Sequence, residues 1–346
     1  MKKNYLEFVF IFLLFISAIY GSTYELFKNF DSVSWDAFSD SSSYIHLAEN
    51  PSSEVASDMH PYRRLVPVIV HQILKIDSFH LIAGLLQSGD YDEHLTTRLG
   101  FYLVNSVFII ISAYFLLKIL IHLGVEKKFA LIGSILFLSS RPAVYSTAVP
   151  IIDASYFLGL MILFYIVLVC RGKAVLFLIP PLMLIKEIIF PLAAAALMLK
   201  RCRTRFYVCI LILSFCVLVL GRLSYGLQIL DPASSRFGVE TLKFGEMIWM
   251  HLQNVLGSLQ KLLSMRGIHD LTHGFSLILA LSSAGIYQCY KVDLVSREIF
   301  WFFCAIMGVS FFLALMSGNL GRLFFSAYLP VIFFAMVGLK HCIEES

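Results

Sequence analysis

The chain has 346 residues, of which 59% are hydrophobic and 14% charged, and its mean hydropathy is +0.81. A soluble domain of this length carries far more charge, and the apolar residues fall in long blocks of the kind that bilayer spans require. The net charge of +4, with no basic run interleaved with aromatics, excludes nucleic acid as an expected partner. The seven cysteines contain no CxxC pair and suggest neither a disulfide framework nor a zinc site.

The first apolar block, residues 5–20, follows Lys2-Lys3. Its length and aromatic content predict an uncleaved first span rather than a signal peptide. A long outer loop follows, residues 21–98. Early in it stands Asp40-Ser41-Ser42-Ser43-Tyr44-Ile45-His46. A carboxylate near a helix start can serve as a general base, although Asp and Ser are equally the residues that cap helices. Next comes His60-Pro61-Tyr62-Arg63-Arg64-Leu65-Val66-Pro67. Two arginines held between prolines can grip a lipid phosphate through bidentate bonds, or snorkel to ordinary headgroups. Residues 65–86 are apolar but interrupted by His71, Lys75, Asp77 and His80, which suits a helix lying in the interface rather than a span.

Full spans are then predicted at 99–123, 129–149 and 151–170, with Asp153 opening the third of these. Residues 174–199 differ: Pro180-Pro181, Lys186-Glu187 and Pro191 interrupt the block, and basic residues flank both of its ends. Two half-helices returning to one side satisfy both basic ends. Broken helices at membrane depth occur where they line a cavity, so a hairpin is predicted with Lys186-Glu187 near its outer tip. Adjacent opposite charges in an apolar block are costly unless they face a cavity or find partners.

Four further spans are predicted at 206–227, 271–290, 299–317 and 323–339. Arg222 lies near the outer end of the first of these, and Asn319 and Arg322 lie at the outer end of the last. Arg322 can reach a phosphate or anchor its span. The second outer loop, residues 228–270, contains apolar residues at helical spacing and predicts another interfacial or lid helix. With Lys2, Lys3, Lys127, Lys128, Arg171, Lys173, Lys291, Arg297, Lys340 and the basic cluster 200–205 all inside, eight full spans return the C-terminus to the cytoplasm. The expected architecture is a single all-α transmembrane bundle over residues 1–346, with its acids, arginines and Lys-Glu pair on the outer face. The outer histidines form no recognisable ligand spacing, so no metal is expected, although a carboxylate site can bind a divalent cation.

These pieces together resemble the GT-C superfamily, the integral membrane glycosyltransferases that use polyprenyl-phosphate-linked sugars. The residues that carry the likeness are Asp40, Tyr44 and Ala48, the run Pro61 to Pro67, Asp153, Lys186-Glu187, and Gly321-Arg322. The resemblance implies a bacterial inner-membrane enzyme with its active site on the periplasmic face. It implies Asp40 as the acceptor-activating base and Asp153 as a second acid. Tyr44, His60, Arg63, Arg64, Lys186, Glu187, Arg222, Asn319 and Arg322 are then substrate-binding residues. The partners implied are a polyprenyl-phosphate sugar donor, a lipid- or glycan-linked acceptor and membrane lipid. The first-loop motif lacks the tandem acids of several relatives, which leaves Asp31, Asp36 and Asp58 as competing bases. The alternative reading is a transporter or flippase of a lipid-linked or polar substrate, since broken helices are also a transporter feature.

Overall fold

The computed structural model describes residues 2–30, 39–51, 64–86, 94–223, 244–292, 295–317 and 325–344; at some helix ends it describes only the backbone course, among them Asp40 and Arg222. The described residues are all-helical, with no strand. In chain order the helices are α1 (Lys2–Lys28), α2 (Ser39–Glu49), α3 (Leu65–Leu74), α4 (Asp77–Leu86), α5 (Leu95–His122), α6 (Lys127–Leu138), α7 (Arg141–Ala148) and α8 (Asp153–Leu168). They continue as α9 (Ile179–Leu182), α10 (Ile189–Ala195), α11 (Arg205–Leu223), α12 (Phe244–Leu262), α13 (Met265–Val292), α14 (Arg297–Ser317) and α15 (Tyr328–Glu344). Short 3₁₀ turns at Lys173–Leu178, Ala196–Met198, Lys200–Cys202 and Phe325–Ala327 precede or extend these helices.

Among the described residues, four helices are long and apolar enough to cross a membrane: Tyr5–Lys28, Leu95–His122, Arg297–Met316 and Phe325–Glu344. Counting each bent helix pair as one span raises the number to six. This count, taken over the described residues, is below the eight predicted, and local features account for part of the difference. The block 129–149 is divided into α6 and α7, bent by 50°, where the Ser139 and Ser140 hydroxyls bond back to the carbonyls of Ile135 and Phe137 and Pro142 follows. The α8 helix has only 16 residues, fewer than the ~20 that a full crossing needs. The α13 helix carries Arg266, His269, Asp270 and His273 in its first turns, which lowers its hydropathy. The stretch 65–86, predicted as a single interfacial helix, is two ten-residue helices at 88°, and the break falls at Lys75-Ile76.

The chain divides into two compact units, one of residues 1–113 and 143–158 and the other of residues 114–142 and 159–346. In the first unit, the early part of α5 is the packing centre. Phe27, Phe79, Ala83, Leu99, Tyr102 and Ala148 form one buried cluster. Within it the Tyr102 ring stacks on Phe27 at 4.4 Å, and its hydroxyl shares a 2.8 Å hydrogen bond with Thr23. The α1 helix turns Tyr5, Leu6, Phe8, Phe10, Phe12 and Leu13 outward, an apolar surface suited to lipid.

In the second unit, the segment between α8 and α11 leaves and returns. Phe177 meets Phe206 with ring centroids 5.6 Å apart, Phe190 meets Phe215 at 5.7 Å, and the Tyr207 hydroxyl donates to the Ala193 carbonyl at 2.8 Å. Phe206 and Phe215 are separated by about 13 Å along a helix axis. The segment therefore lies beside the start of α11 at Phe177, beside Phe215 at Phe190 and again beside Tyr207 at Ala193, the course that a hairpin through Lys186-Glu187 would take. Gly159 lets its upper part approach α8: a methyl there would sit 3.1 Å from Ile189 Cδ1 and 3.2 Å from Ile185 Cδ1. The lower end is tied to α14 by Glu298, which accepts from the Lys200 backbone at 3.1 Å and pairs with its ammonium at 3.0 Å.

Also in this unit, α13 and α15 run in backbone contact. A methyl at Gly285 would collide with the Phe334 carbonyl, and one at Gly338 with the Leu281 carbonyl. Small residues permit this approach between apolar helices. Gly285→Ala and Gly338→Ala are each expected to destabilise the detergent-solubilised protein by about 1–3 kcal/mol, read as a lowered thermal midpoint; unchanged midpoints would contradict the close crossing. The Glu126 carboxylate reaches Lys340 at 2.8 Å and Lys128 at 3.4 Å, and these ammonium groups hold its pKa below the usual 4.5, with the Lys340 bond the larger cause. A lowered carboxyl pKa contributes stability above the unfolded value that is lost as pH falls through the folded one. Glu126→Gln should therefore lower the thermal midpoint slightly at pH 7, with the difference from wild type vanishing well below pH 4.5.

Candidate functional site

Four of the sequence-predicted site residues fall in the first unit, and packing explains how their elements are held. The α2 helix buries Tyr44, Ile45 and Ala48, which share one side at helical spacing. These pack in a single cluster with Val66 and Val70 of α3, Phe101 and Val104 of α5, and Ile152. Asp40 is the second residue of α2, one turn before Tyr44. Arg64 occupies the cap position of α3, two residues before Val66. Asp153, next to Ile152, opens α8 and is only 6% exposed. One apolar cluster thus packs the middle and end of α2 against α3, α5 and the residue before α8, and each of α2, α3 and α8 carries a predicted acid or arginine at its start. Tyr44 was expected to bind substrate; its ring is 4% exposed and belongs to this core.

The turn before Asp153 is built by Asn105. Its side-chain amide donates to the carbonyls of Val149 at 3.4 Å and Ile151 at 3.0 Å. Ser155 closes the first turn of α8 by donating to the Ile152 carbonyl at 2.7 Å. The helix N-terminus favours a negative charge at Asp153.

Lys186 and Glu187 lie in the second unit, in the turn between α9 and α10. Lys186 is 5% exposed, and its backbone carbonyl accepts from Ile189 at 3.1 Å. His60, Arg63, Asn319 and Arg322 lie outside the described residues, as do Asp31, Asp36 and Asp58 and the side chains of Asp40 and Arg222.

Several polar contacts of the first unit escaped the sequence reading. Glu49, the last residue of α2, accepts two bonds on Oε1: from His94 Nδ1 at 2.9 Å and from the Thr97 hydroxyl at 2.8 Å. A carboxylate only accepts, so Nδ1 carries the proton. The His46 ring meets the His94 ring edge-on, with centroids 6.0 Å apart. His71 Nδ1 bonds to the Ala48 carbonyl at 2.8 Å and His80 Nε2 to the Leu74 carbonyl at 2.7 Å, so these two histidines satisfy the ends of α2 and α3. Arg98 is 5% exposed, donates to the Phe27 carbonyl at 2.5 Å, and lies over the rings of Phe27 and Phe30 at 5.5 and 5.2 Å. A guanidinium there neutralises the carbonyl end of α1 and stacks on the aromatics that follow. Among the described residues, no three His, Cys, Asp or Glu side chains gather as a metal site.

The chain matches no protein-family model, no curated protein sequence and no solved structure. The class defined by its described residues is an all-helical one with four to six candidate membrane spans, which fits a multi-pass membrane protein.

Arg98→Ala removes a charged hydrogen bond worth about 1.5–3 kcal/mol and should lower the thermal midpoint accordingly. Arg98→Lys should rescue it poorly, because an ammonium lacks the planar stack. Full rescue by lysine would show that charge alone matters.

Proposed function

We propose that this chain is a membrane glycosyltransferase of GT-C-like architecture. It transfers a sugar from a polyprenyl-phosphate carrier to an acceptor hydroxyl at the outer face of a bacterial inner membrane. The observation that carries this reading is the shared cluster joining the helices that begin with Asp40, Arg64 and Asp153, formed by Tyr44, Ile45, Ala48, Val66, Val70, Phe101, Val104 and Ile152. Two carboxylates and a guanidinium on helix starts held by one core suit a reaction that removes a proton at one end and releases a phosphate at the other. In this reading the Asp40 carboxylate takes the proton of the acceptor hydroxyl as its oxygen attacks the anomeric carbon. The bond to the lipid phosphate breaks on the opposite face, its electron pair leaves with the phosphate oxygen, and configuration inverts. Arg64, with Arg63, stabilises the charge gathering on that phosphate. Asp153 is the second acid, and Lys186 and Arg322 are further phosphate-binding candidates.

The finer topology belongs to the same proposal: eight crossings with both termini cytoplasmic. The returning segment supports it, because Lys173 before the hairpin and the basic residues from Lys200 to Arg205 after it then lie on one side. No cofactor is required for this chemistry, and a divalent cation remains compatible with the carboxylates.

Purified protein in lipid, offered a panel of polyprenyl-phosphate sugars and acceptors, should release free polyprenyl phosphate. Asp40→Asn should reduce that release by about 10²–10⁴-fold without lowering the thermal midpoint. Release that persists in Asp40→Asn removes Asp40 as the base, and silence with every donor would redirect attention to lipid-substrate transport. A Glu187→Cys variant, at the same turn but less enclosed than Lys186, should react with a membrane-impermeant thiol reagent from outside; labelling from the cytoplasmic side alone would overturn the hairpin's assigned side.

A further inference from the structure

The polar group at the far end of α2 has no part in the reaction just described. Both bonds to Glu49 fall on Oε1, from His94 Nδ1 and the Thr97 hydroxyl. Oε2 accepts no hydrogen bond from any described residue. The pair is half-buried, with each side chain 25% exposed, so the carboxylate is held in one orientation while its second oxygen still meets solvent. His46, one turn earlier on α2, is exposed and sits edge-on to His94. Its ring nitrogens bond to no described residue. On α3 and α5, His71 is engaged on the Ala48 carbonyl and Arg98 on the Phe27 carbonyl.

A braced carboxylate oxygen beside an exposed imidazole is a set of acceptors and a donor at fixed spacing. It suits a ligand that presents adjacent hydroxyls, because each hydroxyl both donates and accepts. A carboxylate–hydroxyl bond is charge-assisted and stronger than a neutral one. We infer that Glu49 and His46, with Glu49 braced by His94 and Thr97, form a saccharide-binding subsite at the C-terminal end of α2. The ligand class rests on the glycosyltransferase reading. Glu49 lies nine residues after Asp40, about 13 Å along the helix and half a turn around it, so the subsite is separate from the Asp40 end of α2.

The test is direct binding, read without turnover. Saturation-transfer NMR on the full chain in lipid nanodiscs would use free glucose, mannose, galactose, N-acetylglucosamine and arabinose, together with disaccharides built from them. Wild type is expected to bind at least one of these saccharides. Glu49→Gln should weaken that binding by about tenfold to a hundredfold. His46→Ala supports no buried contact, so it tests the subsite without endangering the fold, and it should weaken binding in the same direction. No saturation transfer to any saccharide from folded wild type would overturn the subsite, and so would binding that survives both substitutions. Failure of the enzymatic reading has a different signature. Saccharide binding lost in Glu49→Gln, from a protein that turns over no donor, supports the subsite and removes the glycosyltransferase. Turnover with an acceptor KM unmoved by Glu49→Gln and His46→Ala removes the subsite and leaves the enzyme.

Discussion

An eleven-residue helix has little stability of its own, because the cost of nucleation is recovered only over longer stretches or by tertiary packing. The α2 helix depends on the second route. Its Tyr44, Ile45 and Ala48 are buried against α3, α5 and Ile152, and every polar residue it carries is positioned by that contact. Asp40 precedes the packed face by one turn, and Glu49 and His46 lie at its other end. Loss of the cluster would free both ends of α2, the cap of α3 and the turn before Asp153 at once.

The second unit solves a different problem. A lysine and a glutamate in an apolar segment cost several kcal/mol if they meet hydrocarbon unpaired, and the prolines around them prevent a continuous helix. The segment instead turns at Lys186-Glu187 and returns along α11 through the Phe190–Phe215 contact and the Tyr207 bond to Ala193. Lys186 is almost wholly enclosed. The same unit relies on glycines where helices meet most closely: Gly159 beneath the hairpin, and Gly285 and Gly338 between α13 and α15. Close packing of this kind takes the place of the hydrophobic effect between helices already surrounded by lipid.

The histidines show how a polar residue in an outer loop can serve architecture. His71 and His80 close the ends of α2 and α3 on backbone carbonyls, and His94 braces a carboxylate on another helix. Arg98 does the same for α1 through the Phe27 carbonyl. Residues of this type in a membrane protein invite a functional reading, and here burial and partner separate the structural ones from the exposed His46.

What the sequence by itself determined are the properties that arise within one segment. Long apolar blocks require helices, since only intrasegment hydrogen bonds satisfy a backbone in hydrocarbon. Pro180, Pro181 and Pro191 break one block, and basic residues at both of its ends favour a return. Tertiary structure alone decided the rest, because the deciding contacts join residues far apart in the chain. Glu49 and His94 are 45 positions apart, Arg98 and Phe27 are 71, and no local pattern marks either pair. The division of residues 65–86 into two helices at 88° and the enclosure of Tyr44 likewise follow from which neighbouring surfaces each segment finds, and hydropathy measures burial without naming the partner.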